Sequence, residues 1–312
     1  MPPETNSPFH EHELKIQTTQ NVSEVADKQG RRSIRAVMPK QHQIFFSQLP
    51  FVIVSMVDKQ GFPWAMPIFG DCGFIHCPDE LTIKINVSPF IFDALAIDFV
   101  EGKKIGLLGI ELSKRRRNRM NGIIKNINDD GFDIKVEQSF GNCPQYIHKR
   151  ELTCLPDTKS LYNKQAIKNV NINTAMDLQY QHLIEKADTF FIASRTAAFN
   201  HHSYTGIDVS HRGGKAGFIT IQDNVLSFPD FSGNNFFNTM GNIESDGRVG
   251  LFVPDFITGN GVYIIGKSQI NSKNASLFYE GAKHIVDVKI EKIVYIEKAL
   301  PFVTSNTSKD FR

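Results

Sequence analysis

Gly73-Phe74-Ile75 returns later in the chain as Gly217-Phe218-Ile219, and Gly106-Leu107-Leu108 returns as Gly250-Leu251-Phe252 at the same offset. Gly122 and Gly266 keep that offset too, each after a strand-like run. One offset shared over this much sequence marks an internal repeat, two copies of a single β-rich unit. Two such copies imply a pseudo-symmetric seam, and clefts at seams are common ligand sites. What differs between the copies should then show which one holds the ligand.

Working outward from the repeat, short β-runs are expected at 51–57, 64–69, 73–76, 81–85, 105–112, 119–127 and 132–138 in the first copy. Asp58-Lys59-Gln60-Gly61 and Asp129-Asp130-Gly131 supply hairpins, with glycine at the positive-φ position. Apolar residues at helical spacing (Ile91, Leu95, Phe99) predict a helix over 90–99, and 41–48 reads as a helix entering the first strand. The second copy repeats the plan with runs at 189–193, 216–221, 225–228, 249–254 and 261–270, and a further alternating strand at 289–296. Its helix is expected over 235–243, and another precedes the copy at 174–186. Asp223-Asn224 and Thr258-Gly259-Asn260-Gly261 turn its hairpins. The division is a polar N-terminal arm at 1–40 with a short helix near 22–28, a first copy at 41–151, a linker at 152–176, a second copy at 177–300 and a tail at 301–312. The fold class that follows is mainly β, a small β-barrel with few helices, built twice.

Composition narrows the function. A chain of 312 residues can bury two ordinary cores, and none of its apolar runs reaches membrane-spanning length. The polar start, rich in Pro, His and Glu, lacks a signal-peptide layout, so a cytoplasmic protein is expected. The four cysteines, Cys72, Cys77, Cys143 and Cys154, form no Cys-x-x-Cys pair, which favours free thiols over zinc or a disulfide framework. A net charge of +2 gives no general affinity for polyanions, so any basic function is local. Phenylalanine is frequent (25, against a single Trp), which suits β-rich cores and also a site that packs a flat ring.

Two segments of the second copy carry chemistry. Residues 206–217 read GIDVSHRGGKAG and combine Ser210, His211, Arg212, Gly213, Gly214 and Lys215. Adjacent glycines let backbone N–H groups approach an anion, while Arg gives a forked contact and Lys a point charge. The plain alternative is a surface loop with positive residues. It is not a P-loop, because the Gly-Lys-Ser/Thr ending is absent. Residues 228–238 read FPDFSGNNFFN, a strand end, a polar turn and a helix start. A helix N-terminus presents unpaired N–H groups and the positive end of its dipole, which places Ser232, Asn234 and Asn235 to receive a phosphate. A simple N-cap would need only one of them. The matching places in the first copy, Val87-Ser88-Pro89 and Phe69-Gly70-Asp71-Cys72, hold no cation. The second copy is therefore expected to hold the phosphate end.

With these motifs in order, SHRGGKAGF, FPDFSGNNFFNTMGNI and then DGRVGLFVPDF, the chain resembles the FMN-binding split-barrel superfamily, the pyridoxamine 5′-phosphate oxidase-like proteins. LGIELSKRRRNRMNG and VEQSFGNCPQYI in the first copy are similar to its tandem, two-barrel members. The resemblance covers roughly 41–270 and implies two fused split barrels forming an intrachain pseudo-dimer with FMN at the interface. It implies His211, Arg212, Gly213, Gly214 and Lys215 beside the cofactor, Pro229, Asp230 and Phe231 along the ring edge, and Ser232, Asn234 and Asn235 at the phosphate. Asn-Asn stands where the smaller members carry a Ser-x-Lys/Arg grip.

The basic run 114–119 (KRRRNR) has no aromatic interleaving to stack bases, so no nucleic-acid partner is expected. Alternation along a strand puts Arg115, Arg117 and Arg119 on one face. That face either reaches across the seam towards the cofactor or is spent on exposure and ion pairs between the copies. Cys143, in the loop SFGNCPQ, reads as part of a cleft-lining loop more than as a nucleophile. His201 and His202 are adjacent and point apart, so no metal site is expected.

No general base stands out, so the catalytic residues stay unassigned. The expected function is an FMN-dependent oxidoreductase acting on a small molecule. With no reductase segment following Arg312, electrons would come from a nicotinamide nucleotide or a separate reductase. The alternatives are a non-catalytic flavin-nucleotide carrier or sensor, and a haem-binding split barrel using His201, His202 or His211. No membrane partner is expected, and further oligomerisation beyond the pseudo-dimer stays open.

Overall fold

The computed structural model describes residues 7–71, 73–88, 92, 95–155, 171–173, 176–272 and 275–304. Cys72, residues 90, 91, 93 and 94, most of the 152–176 linker and the end of the tail lie outside the described residues; of the helix expected over 90–99, the described residues 95–99 form instead a turn, with Ala96 at φ +57, and a bridge from Ile97 to Asp58.

The first sheet contains β1 (Phe51–Val57), β2 (Pro63–Phe69), β3 (Ile75–His76), β4 (Thr82–Ile85), β5 (Lys104–Glu111), β6 (Arg116–Asn128) and β7 (Gly131–Gly141). After β8 (Leu152–Cys154) and β9 (Asn171–Asn173), the second sheet contains β10 (Thr189–Arg195), β11 (Ile207–Gly213), β12 (Thr220–Gln222) and β13 (Val225–Phe231). It continues through β14 (Arg248–Pro254), β15 (Gly261–Asn271) and β16 (Ala282–Ile296). The sheets have one and the same spatial order, β2-β1-β5-β6-β7-β4-β3 against β11-β10-β14-β15-β16-β13-β12, all antiparallel, with β9 added beside β16. The architecture is mainly β, two tandem split-barrel units.

The repeated glycines occupy repeated geometry. Gly73 and Gly217 both have φ +87, and Gly122 and Gly266 both sit at a register shift in the long hairpin of their sheet. A Cβ on Gly106 would lie 2.7 Å from the carbonyl oxygen of Ile207, and one on Gly250 would lie 1.9 Å from that of Pro63. Ile207 and Pro63 are themselves equivalent positions. Each unit thus presses its β2 or β11 backbone onto the central strand of the other, and the contact is reciprocal, as a pseudo-two-fold requires.

Turn chemistry holds the register. Asp58 accepts from the backbone N–H of Gln60 and Phe62 and from the Trp64 indole, closing the β1–β2 hairpin. Asp223 and Asn224 both have positive φ, the backbone a two-residue hairpin needs to match strand twist. One large apolar cluster fills the first sheet and crosses the seam to Phe191, Val209, Phe252 and Tyr263, and a second lies inside the other sheet.

Helices do more than the polar composition suggests. The arm forms α1 (Glu11–Thr19) and α2 (Ser23–Ser33), the latter spanning the short helix expected near 22–28, and α3 (Lys40–Ser47) enters β1 as expected. Phe9 and Phe236 stack with centroids 5.2 Å apart, which docks the arm on the second unit. Further on come α4 (Leu178–Lys186), α5 (Asn238–Ser245) and α6 (Ala275–Phe278). Thr174 and Ala175, where the helix before the second copy was expected to begin, lie outside the described residues. No helix among the described residues is long and apolar enough to cross a membrane.

Candidate functional site

Residues 206–217 are largely strand rather than loop. β11 pairs with β10 from Ile207↔Arg195 to Gly213↔Thr189, and its residues alternate in burial. Alternation sends Asp208, Ser210 and Arg212 to one side and His211 to the other. β6 of the other unit crosses the seam to both sides, Arg119 reaching Asp208 and Ser210 and Arg117 reaching His211. Between them a cleft opens, floored by β11, the end of β13 and the start of α5, and roofed by residues 142–146 after β7.

Ser210, His211, Arg212 and Gly213 line this cleft, as do Pro229, Asp230, Phe231, Ser232, Asn234 and Asn235, together with Arg117 and Arg119. Three expected residues lie elsewhere. Arg115 precedes β6 in a turn with φ +52 and points to solvent, because the strand begins one residue too late to align it with Arg117. Lys215 is exposed beyond the end of β11, and Gly214 bonds away from the cleft, to Asp188 and His148. The helix begins at Asn238 rather than 235, since Asn235 and Phe237 take left-handed φ (+62 and +60) and Asn234 closes a local turn on the Phe236 N–H. The free amides at its start therefore belong to Asn238, Thr239 and Met240, and these residues also line the cleft. Sequence reading missed Asn238, Thr239 and Tyr146; the offset between strand end and helix start was the available signal.

Charge is concentrated here. Arg212 pairs with Asp230 at 2.6 Å. Arg119 is 3% exposed; it donates to Asn238 Oδ1 at 2.8 Å and to the Ser210 hydroxyl, lies 3.5 Å from Asp208, and stacks over Phe140. Arg117 has no carboxylate partner among the described residues. It donates instead to the Cys143 carbonyl (2.8 Å), to His211 Nδ1 (2.9 Å) and to the His211 carbonyl (3.2 Å). Burial, then the neighbouring Arg212 and Arg119, push its pKa down to about 10. A half-buried cation stacked among cations is a site short of negative charge.

His211 is fixed by the same contact. A guanidinium only donates, so Nδ1 accepts and the proton of the neutral ring sits on Nε2. Burial and then Arg117 hold its pKa well below the usual histidine value, which keeps it neutral. Nε2–H is buried without a partner among the described residues, as are Nε of Arg119 and of Arg212. An imidazole in this tautomer offers a donor, not a lone pair for a haem iron or other metal. His201 and His202, expected to point apart, have ring centroids 4.1 Å apart, and His202 stacks on Tyr204, in the loop before β11 and outside the cleft lining. No cluster of three metal-ligating side chains occurs among the described residues.

No family model matches the chain. No curated relative is similar to it either. Among solved structures it is similar to HupZ of Group A Streptococcus (13% identity, 42% of this chain and 100% of that one, TM-score 0.32). It is also similar to an FAD binding protein from Mycobacterium smegmatis (14%, 40% and 97%, 0.27) and an FMN-binding protein from Syntrophomonas wolfei (14%, 38% and 90%, 0.27).

The pseudo-two-fold generates a second location that is closed. At the offset of the repeat, Asp208 corresponds to Trp64, Arg119 to Tyr263 and Ser210 to Met66. Where one side of the seam has an ion pair facing a cleft, the other has the Trp64 and Tyr263 rings, centroids 6.0 Å apart and buried. After β16, β17 (Phe302–Thr304) pairs with β8, and Phe302 packs on Phe51 and Phe69. Phe69 stands at the repeat offset from Gly213, which lines the open cleft, so Phe302 covers the equivalent strand end.

The fit of the open cleft to FMN can be tested on these groups. A phosphate needs converging donors, which Arg119, Ser210, Thr239 and the α5 amides provide. A flat ring needs an apolar wall and polar edges. Pro229 and Phe231 give the wall, Tyr146 stacks on Phe231 at 5.3 Å from across the seam, and Arg117 and His211 give donors. Orphaned buried donors outnumber orphaned acceptors in the cleft, so the residues fit an anionic, acceptor-rich ligand.

Proposed function

We propose that the chain binds FMN in the seam cleft and works as a flavin-dependent oxidoreductase on a small molecule. The observation that carries this reading is Arg117, a half-buried guanidinium with no carboxylate partner among the described residues, lining the same cleft as the free N-terminus of α5. In this reading Arg119, Ser210, Thr239 and the Asn238–Met240 amides receive the phosphate, and the ring lies along Pro229, Asp230 and Phe231. A flavin held there would supply two-electron transfer, the hard chemistry that cofactors bring. The chain's residues supply the rest. Arg117 and the Nε2–H of His211 offer preorganised donors to an electron-rich ring edge, where charge develops on reduction. Tyr146 and Phe231, stacked on each other, offer aromatic faces at the edge of the slot.

The carboxylates in reach are engaged, Asp230 by Arg212 and Asp208 by Arg119, Asn121 and Asn242. That leaves no free general base lining the cleft among the described residues and favours redox chemistry over hydrolysis. The electron donor would be a nicotinamide nucleotide or a partner reductase, and a cytoplasmic setting suits both. The same engagement of carboxylates is compatible with a second reading, a flavin carrier without turnover.

The deciding experiment is an absorption spectrum of the purified protein, followed by mass identification of the material that heat releases. Flavin bands with a released mass of FMN are expected. Turnover of NADH or NADPH with an added acceptor then separates enzyme from carrier. A colourless protein that takes up no FMN on titration refutes the assignment, and a Soret band transfers it to haem.

A further inference from the structure

The N-terminal arm places a carboxyl group inside the second unit, against the floor of the cleft. Glu13 of α1 is 3% exposed. Its Oε1 accepts from Asn238 Nδ2 at 2.5 Å, and its Oε2 accepts from the His10 backbone N–H at 2.9 Å. Gly241 of α5 makes the room: a Cβ there would sit 2.5 Å from Glu13 Cγ. Asn238 in turn offers its Oδ1 to Arg119, and Arg119 holds Ser210, which also receives the Thr239 hydroxyl. Glu13 thus ends a continuous chain of hydrogen bonds that begins at the candidate phosphate donors.

The charges around Glu13 are set by every element packed on it. β11 brings Asp208, β6 brings Arg119, and the arm itself brings His10 and His12. The small polar cavity that Glu13 lines also holds the Lys104–Glu137 pair, closed at 2.6 Å. Two carboxyl groups, Glu13 and Asp208, therefore face one guanidinium, Arg119, in a buried space. Burial first, then Asp208, raise the Glu13 pKa to about 8, so at neutral pH this carboxyl is held mainly as the neutral acid. A phosphate arriving at Arg119 adds negative charge on the far side of Asn238 and disfavours the ionised form further.

We infer that Glu13 is a positioning residue of the anion cradle, one whose protonated form binds a phosphate monoester more tightly than its ionised form, so that binding near its pKa draws proton from solvent onto its carboxyl. This rests on the reading that the cleft takes a phosphate. Linkage fixes the sign. Ligand and proton favour each other, so affinity is full below the pKa of the free chain and falls as pH rises through it. If the ligand raises that pKa by about one unit, FMN affinity drops roughly fivefold from pH 7 to pH 9.

The test is FMN titration of wild type and Glu13→Gln between pH 7 and pH 9, with inorganic phosphate titrated in parallel as a second probe. The expected result is a fall of about fivefold or more for wild type and a flat profile for Glu13→Gln, whose amide keeps an acceptor for Asn238 and cannot ionise. Matching profiles for the two proteins overturn the inference. Should Glu13→Gln not fold, calorimetry of FMN binding to wild type at pH 8.5 in two buffers of different ionisation enthalpy decides instead. Uptake of about half a proton is expected there, and none overturns the inference. If FMN does not bind but phosphate does, with the same pH fall that Glu13→Gln abolishes, the flavin reading fails and the role of Glu13 stands. If neither probe binds at pH 7, both fail.

Discussion

Replacing Arg117 with Met separates a binding residue from a structural one, because the structure predicts opposite consequences for the two. In the ligand-free chain Arg117 is held charged against burial and against Arg212 and Arg119, and its pKa falls to about 10. A depression of that size corresponds to roughly 3 kcal/mol of strain at neutral pH, at about 1.4 kcal/mol per unit. The sign follows from the depressed pKa of a base: the strain is present below about pH 10 and is relieved as pH rises through that value. Met removes this strain and keeps the aliphatic packing. What it loses are the bonds to Cys143 O, His211 Nδ1 and His211 O, at about 0.5–1.5 kcal/mol net apiece, since the acceptors lie at an open cleft where water can replace the donor. The two effects nearly cancel, so urea unfolding of Arg117→Met should give a stability within about 1.5 kcal/mol of wild type. FMN affinity should fall by about 10- to 100-fold, the loss of a charge-assisted contact of about 1.5–3 kcal/mol. Arg119→Met is the contrast. It leaves Asp208 buried without its cation, and a loss of about 3–5 kcal/mol is expected. Loss of more than about 3 kcal/mol in Arg117→Met with unchanged FMN affinity would make Arg117 a structural clamp and refute the argument.

The closed pseudo-equivalent location predicts a single site, so saturating titration should give one FMN per chain; two would show that Trp64, Tyr263 and Phe302 do not block the second. Gly250→Ala should destabilise the fold by about 2 kcal/mol or more, measured by urea unfolding, because its Cβ would meet the Pro63 carbonyl 1.9 Å away; a wild-type midpoint would mean that the seam is looser than described. Nitrogen-15 NMR of His211 should show a neutral ring protonated at Nε2 that titrates below the usual histidine range, its pKa being held low by burial and Arg117. A proton on Nδ1 would mean that Arg117 does not donate there.

Much of this was legible in the sequence because glycines mark backbone demands that no other residue meets. The repeat read from Gly73 and Gly217 and from Gly106 and Gly250 is the repeat of strand order, down to equal φ values and reciprocal contacts. The turns at Asp58 and at Asp223-Asn224 were legible for the same local reason. The site was only partly so. Gly-rich residues 206–217 read as a loop, yet pairing with β10 overrides that local preference, and it is the resulting alternation that separates Ser210 and Arg212 from His211. Arg115 looked equivalent to Arg117 because a period of two was extended past the point where the strand begins. Beyond the short helix expected near 22–28, the arm showed no helix in its sequence because its helices are polar. They are held by a few buried contacts, those of Phe9, Glu13 and Gln17 with the second unit, and tertiary contacts of that kind leave no periodic trace in a sequence.

The asymmetry of the seam explains why one chain carries both units. In a symmetric pair of identical barrels, any residue that builds one cleft also appears in the other, so neither can be closed without closing both. Fusion removes that constraint, because Asp208 and Trp64, or Arg119 and Tyr263, are then separate positions free to differ. Here the divergence runs in one direction at three pairs, Asp208 and Trp64, Ser210 and Met66, and Arg119 and Tyr263. Polar and charged side chains gather on the side of α5, where they can be satisfied by a ligand, and aromatic ones gather on the other, where they bury about 150–250 Å² each and bind the two units together. A half-buried cation such as Arg117 destabilises the unit that carries it, and the apolar half of the seam offsets that loss. The closed side is what lets the open side keep charges poised for an anion.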